Sequence, residues 1–194
     1  IFMALGNTPE PVWGGMMEKV GVGGVETAYI ELAKYLAKLG HSVYIFSSCD
    51  HEHVYDGGNY IPYELFMDYC KIEPDVVVTS RWFDVLYEVN CRKVVWLQDA
   101  FFADPEKQDA FQKAGRIVCS SDWHRCYIAE RFGGDSYDPE KIKIIPLSVD
   151  RMGFDGPVVK DRLHAVYCSN PDRGLFELFE MWRDITERVP GIFL

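Results

Sequence analysis

Short apolar runs alternate with helical patterns along most of this 194-residue chain, and this alternation constrains its fold more than any other feature. Each run is four to seven residues long, rich in β-branched or aromatic residues, and apolar almost throughout. Such runs are typical of parallel strands that are covered on both faces. The runs are IFMAL, SVYIFSS, DVVVTS, KVVWLQ, RIVCSS, KIKIIPL and HAVYCS. The pattern predicts an α/β fold with a doubly wound, parallel, Rossmann-like sheet.

The segments between the runs show helical spacing. In VETAYIELAKYLAKLG the spacing predicts a helix that ends before Gly40, which stands at the C′ position. Its predicted buried face comprises Ala28, Leu32, Tyr35 or Leu36, and Leu39. Two further helices are predicted from SSDWHRCYIAERF, capped by Ser120 or Ser121, and from GLFELFEMWRDITERV.

Composition excludes several classes of function. The net charge is −10 and the pI about 4.9, so a nucleic-acid partner is not expected. No apolar run approaches the roughly 20 residues of a membrane span, and no signal-peptide pattern is present. The six cysteines show no C-x-x-C spacing and no histidine at ligand spacing. We therefore expect a cytoplasmic protein with reduced thiols, no metal and no bound cofactor.

The glycine-rich stretch GVGGVETA, residues 21–28, raises the question of a dinucleotide site. The G-x-G-x-x-G fingerprint needs a third glycine, and Glu26 stands in its place. A carboxylate there would crowd the helix and repel a pyrophosphate. The pattern therefore argues against a nicotinamide oxidoreductase.

The chain is predicted to contain two domains. The run KIKIIPLSVD is followed by RMGFDGPVVKD, which contains glycine and proline and has no periodicity. We assign residues 1–149 to an N-terminal Rossmann-like domain, 150–162 to an interdomain hinge, and 163–194 to the first strand and helix of a second domain.

The order of these pieces resembles the family 4 retaining glycosyltransferases of the GT-B fold. The resemblance is carried by the glycine loop before the first helix, then VVWLQDAF, IVCSSDWH, KIKIIPLSVD and YCSNPDRGLFELFEMW. It implies metal-independent transfer of a sugar from a nucleotide-sugar donor to a hydroxyl of a glycan, lipid-linked glycan or other acceptor. It also implies that most of the donor domain is missing, so the 194 residues alone are expected to be inactive.

The resemblance assigns the donor diphosphate to two segments. Gly23 and Gly24 would let the backbone approach the diphosphate at a helix N-terminus. Arg173, with the weaker candidate Asn170, would bind the same diphosphate from the second domain. The alternatives are a tight glycine turn without a ligand, and an ion pair of Arg173 with Asp172 or Glu177.

The remaining candidates follow strands at the edge where ligands of open α/β sheets bind. Asp99 is the candidate catalytic residue, although Gln98 stands where family members often carry histidine; the alternatives are a loop acid or a helix cap. The acceptor-side candidates are Arg81, Trp82, Ser121 and His124, which are otherwise surface or packing residues. A second hypothesis is a non-catalytic module that binds a sugar or nucleotide.

Overall fold

A computed structural model describes residues 1–100, 108–132, 138–149, 156–157 and 159–194. The chain divides into two compact units, Ile1–Ser148 and Val149–Leu194. Much of the predicted hinge, 150–162, lies outside the described residues.

The first unit is built on one eight-stranded sheet with the order β3-β4-β2-β1-β5-β6-β7-β8. Every pairing is parallel except the antiparallel pair of β3 and β4. This confirms the predicted α/β class and Rossmann-like sheet. The strands are β1 (Phe2–Gly6), β2 (Val43–Ser47), β3 (His53–Tyr55), β4 (Gly58–Pro62), β5 (Val76–Thr79), β6 (Arg92–Trp96), β7 (Arg116–Cys119) and β8 (Ile142–Ile144).

Strand β1 shows why the predicted strands carry apolar residues on both of their faces. Phe2 and Ala4 belong to one buried cluster, whereas Met3 and Leu5 belong to another, and all four are at most 2% exposed. Side chains alternate between the faces of a strand, so both faces of the sheet are covered by apolar side chains here. The sheet order reverses beside β1, whose neighbours are β2 and β5.

Helices connect the parallel strands. Helix α1 ends as predicted: Gly40 has φ +90°, its N–H donates to the Ala37 carbonyl, and the His41 N–H donates to the Leu36 carbonyl. The described helices are α1 (Gly24–Lys38), α2 (Phe66–Tyr69), α3 (Val85–Glu88), α4 (Gln108–Lys113), α5 (Asp122–Phe132) and α6 (Leu175–Arg188).

The predicted buried face of α1 is only partly confirmed: Leu32 and Leu36 are partly buried and pack against the core, whereas two other predicted residues are exposed. Leu39 is 75% exposed and Tyr35 47% exposed. The residues that α1 buries are instead Val25, Glu26, Tyr29, Ile30 and Ala33. The helix is therefore rotated about its axis relative to the prediction, and Glu26 in its first turn becomes an interior residue.

The β3–β4 hairpin was not predicted. Its turn contains Asp56 and Gly57, with φ of 49° and 80°. Two successive residues with positive φ are typical of the turns that favour Asp-Gly. The hairpin extends the sheet beyond β2, and β4 pairs with β2 in parallel register.

The second unit contains α6 and little regular strand. The predicted strand HAVYCS is reduced to a single parallel bridge between His164 and Phe193. No residue of α6 is buried within this unit, although the predicted helix is present. Among the described residues of both units, no helix combines the length and apolar character needed to cross a membrane.

Candidate functional site

The candidate site lies along the carboxyl edge of the sheet, beside the point where the strand order reverses. Ser80 and Arg81 follow β5, Gln98 and Asp99 follow β6, and Ser120 follows β7. These three strands are neighbours in the sheet. Because parallel strands end at the same edge, the sheet places these residues side by side where open α/β sheets bind ligands.

Arg81 joins two carboxylates from different elements. Its Nε and Nη2 lie 2.8 and 2.7 Å from Asp99 Oδ2, and its Nη1 lies 3.4 Å from Glu26 Oε1. The guanidinium geometry allows one side chain to contact both acids at once. Arg81 is therefore part of an ion-pair network, rather than the free surface residue considered as an alternative.

Glu26 brings a negative charge to the start of α1. It is 8% exposed and occupies the third position after the N-cap Gly23. A Cβ on Gly23 would collide with Glu26 Oε2, whereas a Cβ on Gly24 would meet open space. Gly23 has φ −65°, so its backbone does not require glycine, and a larger residue there would displace the carboxylate end of Glu26. A carboxylate in the first turn also interacts favourably with the helix dipole.

His124 lies at the first turn of α5 and is 4% exposed. Its backbone N–H donates to Ser121 Oγ at 3.1 Å, which makes Ser121 the N-cap of α5. Ser120 Oγ lies 3.4 Å from His124 Nδ1. Burial lowers the pKa of His124, and the Asp99 backbone and carboxylate partly oppose this shift. His124 is thus a buried residue beside Asp99.

Several buried polar atoms near this edge have no hydrogen-bond partner among the described residues. Ser80 and Gln98 follow adjacent strands, and Tyr29 stacks on Trp96 of β6 with ring centroids 5.5 Å apart. Burial raises the pKa of Tyr29, while the charge of Arg81 acts in the opposite direction. The atoms are Tyr29 Oη, Ser80 Oγ, Gln98 Nε2 and His124 Nε2. Unpaired buried polar groups are uncommon and are the groups that a bound ligand or water satisfies.

Trp82 packs beside this edge instead of projecting from it. Its ring makes edge-to-face contacts with Tyr63 and Phe66, at centroid distances of 5.8 and 5.1 Å. Gly6, with φ +80°, passes close to the Trp82 ring. The three aromatic residues line a pocket of about 250 Å³. Trp82 therefore has a packing role and also faces a small concave surface.

In the second unit, Arg173 and Asn170 lie in the turn before α6. The Arg173 N–H donates to the Asn170 carbonyl at 2.9 Å, and Tyr167 Oη donates to the same carbonyl at 2.8 Å. Within the described segments, Arg173 makes no ion pair with Asp172 or Glu177. Its guanidinium is exposed, as a ligand-binding role requires.

Removing Arg81 is expected to destabilise the first unit. The Arg81→Ala variant leaves the buried Glu26 carboxylate without its counterion, and we expect a loss of about 1–2 kcal/mol in the free energy of unfolding, because Arg81 itself is 42% exposed. Urea unfolding measures this quantity.

Two further variants help to interpret the stability loss of Arg81→Ala. Lys71→Ala removes an exposed ion pair to Asp68 and should cost less than about 0.5 kcal/mol. Adding Glu26→Gln to Arg81→Ala should restore part of the lost stability. Equal costs for Arg81→Ala and Lys71→Ala would contradict the structural role of Arg81.

The buried His124 should make stability fall on acidification. Its folded-state pKa lies below the usual value of about 6.5, so the unfolded chain binds a proton first as the pH falls through that value. Stability attributable to neutral His124 is therefore present above pH 6.5 and is lost below it. Between pH 8 and 5.5, the thermal midpoint of His124→Gln should fall less than that of the wild type. His41→Gln, at an exposed position, should behave like the wild type, and parallel curves for all three proteins would refute the prediction.

Comparison with known proteins supports the fold. The structure is similar to the crystal structure of a glycosyltransferase from Rickettsia africae ESF-5, with a TM-score of 0.57 and 18% sequence identity. The match covers 79% of this chain and 44% of that one, so the chain spans less than half the length of its structural neighbour. No family model matches the chain. No curated protein matches it either.

These findings define a class of fold and not an individual protein. At 18% identity the likeness shows a Rossmann-like α/β fold shared with a glycosyltransferase structure.

Proposed function

We propose that this chain is part of a glycosyltransferase that transfers a sugar from a nucleotide-sugar donor to a hydroxyl acceptor with retention of configuration. One observation carries the proposal: Arg81, Asp99, Glu26 and buried unpaired polar atoms gather at the carboxyl edge of a Rossmann-like sheet. The fold likeness to a glycosyltransferase supports the same choice.

In this proposal Asp99 acts on the reacting sugar. Both contacts of Arg81 with Asp99 fall on Oδ2, and among the described residues Oδ1 makes no hydrogen bond or ion pair. The paired oxygen keeps the carboxylate oriented, and Oδ1 is available to stabilise positive charge that develops on the sugar ring or to receive the acceptor hydroxyl proton. Arg81 is then a positioning residue.

Two segments are proposed as diphosphate-binding candidates, each within its own unit: Gly23 and Gly24 in the first, and Asn170 and Arg173 in the second. Glu26 already supplies a carboxylate at the start of α1, so a diphosphate there requires compensating cations. Arg81 lies 3.4 Å from Glu26, and Arg173 has no ion pair with its acidic neighbours in the described segments. A guanidinium binds phosphate oxygens bidentately. We propose that arginine guanidinium groups take the place of a divalent ion on the diphosphate.

The acceptor is proposed to be a sugar hydroxyl of a glycan or lipid-linked glycan. In the pocket beside the buried Phe66, the partly exposed rings of Trp82 and Tyr63 offer aromatic surface, which suits the apolar face of a sugar ring. His124 and Ser121 are the other acceptor-side candidates. The Nε2 atom of His124 offers an unsatisfied polar group, whereas the Ser121 hydroxyl already caps α5.

Turnover of nucleotide sugars by the full-length protein tests the proposal. We expect release of nucleoside diphosphate from at least one donor in a panel with different bases and sugars, persisting in the presence of a chelator. The anomeric configuration of the product, read by NMR, should match that of the donor.

The outcomes separate two classes of protein. Saturable binding of a nucleotide or sugar without turnover would instead support the non-catalytic module. Neither binding nor turnover across the panel would contradict both functions.

A further inference from the structure

A cluster outside the carboxyl-edge site brings together three side chains that bind metals. Asp50, His51 and His53 follow β2, and each offers one ligand atom within 4.8 Å of the others. Asp50 Oδ1 lies 3.0 Å from His51 Nδ1 and 3.0 Å from His53 Nε2. The sequence analysis predicted no metal, because it looked for cysteines and for histidines at ligand spacing from them, and it did not consider the Asp-His-x-His spacing of these residues.

Two of the three distances between ligand atoms approach those of a zinc coordination shell, and the third, between the two histidine nitrogens, is within 4.8 Å. Ligand atoms bound tetrahedrally at about 2.0–2.1 Å from zinc lie about 3.3 Å apart. The two distances of 3.0 Å therefore need to open by only a few tenths of an ångström. Two imidazoles and one carboxylate also form a donor set that suits zinc, with a fourth position left open.

His53 is held in place by its surroundings. Its ring stacks on Trp13, with centroids 4.2 Å apart and planes 2° apart, and its backbone in β3 pairs with Tyr60 of β4. The His51 ring is also near, with its centroid 4.0 Å from that of His53 and its plane tilted by 38°. One ligand is thus fixed by packing, because the His53 side chain is 15% exposed.

The other two ligands remain accessible. The side chains of His51 and Asp50 are 66% and 69% exposed, so an ion can reach them from solvent. The chain carries a net charge of −10, which favours the approach of a divalent cation. We propose that Asp50, His51 and His53 form a zinc-binding site that links the end of β2 to the first residue of β3.

Calorimetric titration of the protein with Zn²⁺ tests this site. The titration uses the Cys126→Ser/Cys168→Ser background, because both thiols are exposed and thiolates also bind zinc. We expect one equivalent to bind. His51→Ala and His53→Ala should each weaken zinc binding about tenfold or more. Removing a residue that only hydrogen-bonds a metal ligand already costs about that much affinity, and a ligand itself should cost at least as much.

The control is His41→Ala, which removes an exposed histidine outside the cluster and should change affinity less than about twofold. His51→Ala is easier to interpret than His53→Ala, because His51 is exposed whereas His53→Ala also removes the stacking on Trp13. Thermal midpoints without zinc show whether each variant folds, and zinc should raise the midpoint of the wild type but not of His51→Ala.

A second readout locates the ion. Cu²⁺ bound at His53 should quench the fluorescence of the stacked Trp13, and Trp13→Phe should remove that quenched component. No binding by the wild type, or equal affinity in the wild type and His51→Ala, would overturn the proposal. Because the cluster is independent of Asp99 and Arg173, either result leaves the proposed transferase activity to its own test.

Discussion

Asp99→Ala is expected to lower the turnover number of the proposed sugar transfer by the full-length protein about 100-fold or more, with little change in donor affinity. The expected decrease of about 100-fold in turnover is the usual contribution of a positioned acid or base to catalysis by proton transfer. Asp99 is held by Arg81 at 2.7 and 2.8 Å, so its carboxylate is fixed at the carboxyl edge before substrate binds. Steady-state kinetics with saturating donor and acceptor measure the change.

Two further variants show whether the loss of turnover in Asp99→Ala comes from the missing charge of Asp99. Asp99→Asn keeps an oxygen near Arg81 but removes the charge, and it should be nearly as inactive as Asp99→Ala if charge is what matters. Asp122→Ala removes an exposed acid at the start of α5, whose side chain is 79% exposed, and should leave turnover unchanged. Near-normal turnover of Asp99→Ala would assign Asp99 to the loop and remove it from the reaction.

Arg173→Ala is expected to weaken the binding of nucleotide sugar and free nucleoside diphosphate equally, by about 1.5–3 kcal/mol. That range is typical of a charge-assisted hydrogen bond. The equality is expected because the lost contact is to the diphosphate, which both ligands share. Arg173→Lys should recover only part of the affinity, since lysine cannot contact two phosphate oxygens through a planar fork. Calorimetric titration of the full-length protein gives both affinities.

The matched control is Arg183→Ala on the neighbouring helix. Arg183 is 86% exposed and pairs with Glu187, so its removal should leave nucleotide affinity unchanged. Unaltered affinity in Arg173→Ala, together with a small change in stability, would instead support a purely local role for Arg173.

The strands of the sheet could be predicted from the sequence because their burial on both faces requires apolar runs. Phe2, Met3, Ala4 and Leu5 are all buried and all apolar. The β3–β4 hairpin could not be found that way, since His53–Tyr55 is short and only partly buried. The Asp56-Gly57 pair was a usable signal for its turn.

The buried face of α1 was mispredicted in part, for a physical reason. Apolar residues occur around most of this helix, so several faces satisfy the same spacing. Packing against the sheet selects the face with Tyr29, Ile30 and Ala33, and it leaves Leu39 exposed. Helical periodicity identified the helix but not its rotation.

The candidate positions at the carboxyl edge could be predicted, but their partners could not. Arg81 is 18 residues from Asp99 and 55 from Glu26 in sequence. Only the strand order, which places β5 between β1 and β6, brings such distant residues together. Glu26 was considered only as an argument against a dinucleotide site, and its pairing with Arg81 was missed.

The first turns of α1 and α6 should discriminate between small inorganic anions and larger anionic ligands. In both units the long helix begins with glycine at the N-cap and glutamate three residues later: Gly23 and Glu26 in α1, Gly174 and Glu177 in α6. A carboxylate at a helix start opposes the binding of free phosphate or sulfate there, and at α1 the ion pair of Glu26 with Arg81 offsets only part of that repulsion. An anionic ligand that makes further contacts is therefore expected to bind better at these helix starts than inorganic ions do.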